Sequence, residues 1–130
     1  ETTTTAAGAS APDPYVPLDL EAFCRGGRAF AEEAESLSVA FVTQDIPTMR
    51  AWVADHRQTW DDSLSTLAAG APPINADDLM AFRGMWDEAF DAVNTYDTYE
   101  AADGSVDSLD LARANARFRE VGQLVAFHCT

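Results

Sequence analysis

The chain has 130 residues, of which 47% are hydrophobic and 10% aromatic, so it can bury the core of one domain and is not a disordered chain. It carries 22 acidic residues against 8 basic ones, all of them arginine, for a formal net charge of −14. Because this charge repels phosphate groups, nucleic acid and anionic lipid surfaces are unfavourable partners, and a basic protein or a cationic ligand is favoured. No apolar run approaches the roughly 18 residues of a membrane-spanning helix, which predicts no transmembrane segment.

The first stretch, ETTTTAAGASAPDPYVP, is rich in threonine, alanine and proline and has no periodic apolar face. This composition predicts a flexible tether over residues 1–17 and a folded domain over residues 18–130. The stretch resembles the spacer that follows the lipidated cysteine of bacterial surface lipoproteins, and the residue usage resembles that of high-GC actinobacteria. The resemblance implies an exported or surface-tethered protein with an extracytoplasmic location. The alternative is an ordinary flexible terminus.

Apolar residues at alternating spacings of three and four predict two helices in the first half of the domain. Asp19 is placed to cap the first helix, whose apolar stripe runs from Leu20 to Phe41. Polar residues interrupt this stripe, and Pro47 suits the first turn of a second helix. The second stripe continues to Leu67 and ends before a loop rich in alanine, glycine and proline.

Two further helices are predicted in the second half. Asn75 is placed to cap the third helix, whose inward stripe runs from Leu79 to Tyr96. The loop AADGSVD follows, and the fourth stripe runs from Leu111 to His128. No stretch shows the sustained alternation that is typical of a strand.

Four amphipathic helices of about 20 residues with short connections favour antiparallel neighbours, so we predict an all-α, up-down-up-down four-helix bundle. In this topology the start of the first helix and the end of the fourth lie at the same end of the bundle. Cys24 and Cys129 are then at one height, which predicts a disulfide between them. Such a bridge would stabilise the fold by about 4 to 5 kcal/mol in the chain-entropy estimate. Two separate buried thiols are the alternative.

The histidines are candidates for ligand binding. Trp52, His56 and Trp60 are spaced by four residues on one face of the second helix. An imidazole between aromatic rings could ligate haem iron or a transition metal, or it could be a core residue with satisfied ring nitrogens. His128 beside Cys129 could form a zinc site if the thiols were reduced, and otherwise it suits a helix C-terminus. The topology separates the two histidines by roughly 16 Å at 1.5 Å per residue, which is too far for one metal.

The segment DGSVDSLDLARA, residues 103–114, resembles the second half of an EF-hand-like calcium loop, especially that of dockerin modules, where Asp-Gly-x-Val leads into a helix. The resemblance implies calcium ligation by Asp103, Asp107 and Asp110, with Gly104 at the sharp turn. The first two ligand positions of such a loop hold no carboxylate here, and dockerins carry the loop twice. Without metal, helix capping and a favourable helix dipole explain the same aspartates.

Motifs of catalysis are missing from the sequence. It contains no nucleophile elbow, phosphate-binding glycine loop or metalloprotease helix, and neither histidine follows a glutamate by three residues as in di-iron bundles. We therefore predict a non-enzymatic, exported or surface-tethered helical bundle without a cofactor. It would act as a protein-interaction or cation-attracting module for a basic protein or cationic ligand. The alternative is a small-ligand or metal-binding bundle, with a haem-like group at His56 or weak calcium binding at the 103–110 loop.

Overall fold

The computed structural model describes residues 13–129, and this part of the chain is helical and contains no strand. The predicted all-α bundle is thus confirmed. A single 3-10 turn, Pro73–Asn75, precedes the third helix. The α-helices are α1 (Leu20–Phe41), α2 (Ile46–Gly70), α3 (Ala76–Thr95), α4 (Tyr99–Ser105) and α5 (Ser108–His128).

The helix starts follow the local signals in the sequence. The Asp19 side chain accepts a hydrogen bond from the backbone N–H of Ala22 and caps α1, as predicted. Asp45 caps α2 in the same way, and Pro47 stands in its first turn. Asn75 occupies the N-cap position of α3, but its side chain makes no capping hydrogen bond. Both predicted N-cap positions are therefore correct, but of these two residues only Asp19 forms the capping hydrogen bond.

One aromatic ring from each long helix meets in a layer at the middle of the bundle. Phe30 of α1 lies 4.6 Å from Trp60 of α2 and 5.0 Å from Phe118 of α5, between ring centroids. Phe82 of α3 stacks on Phe118 at 3.9 Å. These contacts place the four long helices around one core, which buries large apolar side chains from several turns.

Contacts at the two ends of the helices show that successive long helices run in opposite directions. At the start of α1, the backbone N–H of Asp19 donates to the carbonyl of Gly70, the last residue of α2. Near the start of α2, Arg50 Nε donates to the carbonyl of Val93, near the end of α3. Cys24 and Cys129 form a disulfide with 5.4 Å between their Cα atoms, so α5 ends beside the start of α1. The predicted bridge is confirmed.

The short helix α4 was not predicted. The third stripe was expected to reach Tyr96 and to be followed by a loop, whereas α3 ends at Thr95 and Thr98 starts a new helix by accepting from the N–H of Ala101. Ala102 of α4 is buried in a small second cluster with Ile46 and Ala92. Seven residues are too few for a helical period to stand out, so the capping threonine was the usable signal.

Two glycines allow α1 and α2 to approach closely. A Cβ atom added to Gly26 would lie 2.6 Å from the Cα of Leu67, and one added to Gly70 would lie even closer to the backbone nitrogen of Phe23. Real Cβ atoms do not approach a backbone so closely, so both positions need a residue without a side chain. Gly122 of α5, in contrast, has open space around it.

The predicted tether falls mostly outside the described residues. Of the part that the structure describes, Pro14 accepts a hydrogen bond of 3.0 Å at its carbonyl from the N–H of Ile74. Tyr15 and Val16 are exposed. Residues 13–16 therefore lie against the loop between α2 and α3.

Candidate functional site

An apolar pocket lies at the end of the bundle opposite the disulfide, and we call it the α4 pocket. It has a volume of about 230 Å³ and is lined by side chains from all five helices. The lining includes Phe41 of α1, Met49 of α2, Val93 of α3, Ala102 of α4 and Leu111 of α5. Met49, Val93 and Ala102 are buried, whereas Leu111 is partly exposed, so the pocket has a buried floor and opens to solvent.

The α4 pocket combines aromatic rings with one carboxylate. Phe41, Trp86 and Tyr99 contribute the rings, and the Trp86 indole N–H donates a 3.0 Å hydrogen bond to Asn115 on α5. Asp103 is exposed at the mouth and contributes the charged side chain. Within residues 13–129 the carboxylate of Asp103 has no ion pair and no hydrogen bond. It is therefore available to a cation from outside.

The surface around the α4 pocket is acidic. Residues 91–111 include six acidic side chains and no basic one, and arginines outside this segment pair with three of the six. The nearby Arg50 is engaged by the carbonyls of Val93 and Tyr96, at 2.8 and 2.7 Å, and by Asp97 at 3.5 Å. These contacts direct the arginine to the end of α3, so it leaves the Asp103 carboxylate unneutralised.

The segment that resembles a calcium loop does not adopt the conformation of one, because it comprises the end of α4 and the start of α5. Asp103 and Gly104 lie inside α4, so Gly104 is helical and makes no sharp turn. Asp107 caps α5 by accepting from the N–H groups of Leu109 and Asp110 at 3.1 and 3.0 Å. No group of three side chains in the described part of the chain could hold a metal ion. The capping interpretation accounts for Asp107 without calcium.

Trp52, His56 and Trp60 do lie together, as the spacing predicts. The rings of Trp52 and His56 stack with centroids 4.9 Å apart, and Trp52 lies 5.9 Å from Trp60. His56 Nδ1 is 3.3 Å from a carboxylate oxygen of Glu33, which also accepts from the hydroxyl of Thr59. The two tryptophans are 6% and 1% exposed, so they belong to the core. This arrangement favours the interpretation of His56 as a satisfied residue at the edge of the core.

His128 is the last residue of α5 and lies at the disulfide end of the bundle. It contacts the rings of Phe23 and Phe127 with centroids 6.5 and 4.9 Å away. Cys24 and Cys129 are joined to each other, so neither supplies the thiolate that a zinc site with His128 would need. His56 therefore contacts Glu33 and Trp52, whereas His128 contacts the rings of Phe23 and Phe127.

The sequence did not predict that the carboxylates of Asp61 and Asp87 lie between α2 and α3. The four-residue spacing would favour a pair between Arg83 and Asp87 within α3, yet Arg83 Nε approaches Asp61 of α2 at 3.6 Å, and Asp87 pairs with Arg57 at 3.5 Å. Burial raises the pKa of Asp61, and repulsion from Asp87 raises it further, while Arg83 and Arg57 act in the opposite direction. Which carboxylates meet across two helices depends on their rotation, which no local spacing reports.

Comparison with known proteins found no match to this chain among protein-family models, curated proteins or solved structures. In the described part of the chain, the helices are too short or too polar to cross a membrane. The α4 pocket, the acidic surface around it and the disulfide are therefore the features that bear on function.

Proposed function

We propose that this chain is a non-enzymatic helical bundle of an exported or surface-tethered protein, and that it binds basic proteins or cationic ligands at the surface around α4. The disulfide supports the extracytoplasmic part of the proposal, because structural disulfides persist in oxidising compartments and are rare in the cytosol. The threonine- and proline-rich stretch before the bundle is consistent with a tether to the cell surface.

The observation that carries the binding proposal is the acidic segment at positions 91–111, which has no basic residue. Of its six acidic side chains, Glu100, Asp103 and Asp107 have no arginine partner within residues 13–129. Arginines outside the segment pair with the other three, Asp91, Asp97 and Asp110, at 2.9 to 3.5 Å. An uncompensated cluster attracts cations over distances up to the Debye length, about 8 Å at physiological ionic strength. Such a field speeds the encounter with a basic partner and disfavours acidic ones.

A titration of isotope-labelled protein with a hexa-arginine peptide tests this proposal. We expect amide shifts concentrated on α4 and on the first turns of α5, with an affinity that falls as salt is added. Hexa-glutamate should give no shifts, because it is repelled by the same field. Absence of hexa-arginine binding at low salt would overturn the proposal.

A matched pair of variants separates a site from general attraction. Glu100→Gln with Asp103→Asn removes two charges at α4, and Glu32→Gln with Glu35→Gln removes two from α1. The first pair should weaken peptide binding by about three- to tenfold, since exposed ion pairs contribute up to ~1 kcal/mol each. The second pair should have a much smaller effect. Equal losses would show that the peptide responds to net charge alone.

A further inference from the structure

We infer that the α4 pocket binds a small organic cation, with its apolar body inside the pocket and its ammonium group beside Asp103. This inference rests on the proposed function, because it names a ligand class for the same surface. It adds a claim that an acidic surface alone does not make: the ligand must be apolar as well as positively charged, and it must be compact.

The size of the pocket sets the size of the ligand. Its volume of about 230 Å³ is below the range of ~300–1,000 Å³ that is usual for drug-sized ligands. At about 30 Å³ per water-sized group, it holds roughly eight non-hydrogen atoms. A phenyl ring with a two-carbon chain fits this limit.

The lining selects an apolar body. Hydrocarbon surface in the pocket comes from Phe41, Met49, Val93 and Leu111. A ligand that covers these side chains removes that surface from water. A bare metal ion or a hydrophilic amine would leave this surface exposed. The lining therefore favours an aryl or alkyl group over a simple cation.

The mouth of the pocket selects a positive charge. Asp103 lacks an ion-pair partner within residues 13–129, and Arg50 is engaged elsewhere. The nearby rings of Trp86 and Tyr99 favour a cation further, because the faces of aromatic rings carry negative charge density. A carboxylate on the ligand would be repelled by Asp103, and also by Glu100 and Asp107, which have no arginine partner in the described part of the chain.

A second cavity of similar volume provides a comparison within the same molecule. It lies between α1 and α5, measures about 230 Å³, and is lined by apolar residues such as Phe30 and Val125 without a charged side chain. A neutral apolar ligand has no electrostatic reason to prefer the α4 pocket over this groove. Preference for the α4 pocket should therefore depend on the ligand's charge.

Three probes of nearly equal shape test the inference on the full chain: phenethylammonium, 2-phenylethanol and phenylacetate. Chemical-shift titration should show phenethylammonium at the Trp86 indole and the Ala102 methyl group, about three- to tenfold tighter than 2-phenylethanol. Phenylacetate should bind more weakly than either. Equal binding of the amine and the alcohol, or amine shifts confined to the groove between α1 and α5, would overturn the inference.

Two variants and a control assign the effect to the pocket. Asp103→Asn should abolish the preference for the amine over the alcohol, whereas Glu35→Gln, which changes net charge equally, should preserve it. Ala89→Leu enlarges a half-buried residue of the lining and should reduce binding of both probes. If Asp103→Asn still prefers the amine over the alcohol, the proposed role of this carboxylate is wrong. This test does not depend on whether Ala89→Leu folds.

Binding of the small probes and binding of hexa-arginine have separate outcomes. If hexa-arginine binds at α4 with the expected response to the charge variants, but no probe binds, the pocket inference is wrong and the acidic binding surface remains. If the amine binds in the pocket and hexa-arginine does not, the ligand class is small cations and the proposal for basic proteins is wrong.

Discussion

The pair α1–α2 and the single helix α5 are held in the same bundle by different means. Seven residues of α1 and nine of α2 are buried, against two of α5, Ala114 and Val121. Gly26 and Gly70 bring the backbones of α1 and α2 into contact, whereas Gly122 of α5 faces open space. The α4 pocket and the groove beside α1 both border α5. Close packing thus stabilises the α1–α2 pair. Helix α5 has fewer buried residues, is linked to α1 by the disulfide and borders both cavities.

The largest expected effect comes from removing that bond. Cys24→Ser with Cys129→Ser opens a link between residues 105 positions apart, and we expect a loss of about 2 to 5 kcal/mol in the free energy of unfolding. Denaturation in urea measures the loss, and hydrogen exchange locates it. Exchange should accelerate most in the last turns of α5 and little in α1 and α2. Uniform acceleration across all helices would contradict the distinction, and a reductant should not alter the double variant.

Substitution of Gly26 tests the close packing of α1 against α2. A methyl group at Gly26 would lie 2.6 Å from the Cα of Leu67, so Gly26→Ala must separate α1 from α2 and should cost about 1 to 3 kcal/mol. Gly122→Ala is the matched control, because it makes the same change inside a helix without a neighbour. It should stabilise the protein by up to ~1 kcal/mol, since alanine favours helix more than glycine does. Urea denaturation measures the change in the free energy of unfolding for both variants. Changes of the same sign would contradict the close approach of α1 and α2 at Gly26.

The smallest effect concerns charge between α2 and α3. Burial and Asp87 raise the pKa of Asp61 above its ordinary value of 3.8, so the folded protein holds this proton more tightly than the unfolded chain. Its contribution to stability is therefore present at low pH and is lost as pH rises from about the ordinary value through the raised one. Asp61→Asn should stabilise the protein at neutral pH by no more than ~1 kcal/mol, because Arg83 offsets part of the cost.

The pH dependence distinguishes this explanation from a general loss of negative charge. The gain from Asp61→Asn should shrink in urea denaturation at lower pH, where the wild-type carboxyl is itself protonated in the folded state. Asp62→Asn provides the control, since Asp62 is exposed on the neighbouring position of α2. A similar gain in both variants, or a gain that grows on acidification, would show that burial of Asp61 is not the cause.

Local information was sufficient for the long helices and for the bridge. Spacings of three and four residues report one face of a helix directly, and an aspartate such as Asp19 or Asp107 marks a start because its side chain bonds to the next turn. Short connections then imply antiparallel neighbours, and that topology is enough to place Cys24 beside Cys129. These inferences depend on residues near one another in sequence or on the order of whole helices.

The site depended on information that is not local. The α4 pocket takes side chains from all five helices, including α4, whose single buried residue, Ala102, creates no periodic signal. The pairing of Asp61 with Arg83 and the contact of Gly26 with Leu67 likewise depend on how each helix is rotated and how closely it approaches its neighbour. Many rotations satisfy the same apolar stripe, and three-dimensional packing selects one of them. The amino-acid pattern therefore specifies a disulfide-linked acidic bundle, and the packing of the helices specifies the pocket in which we propose that an apolar cation binds.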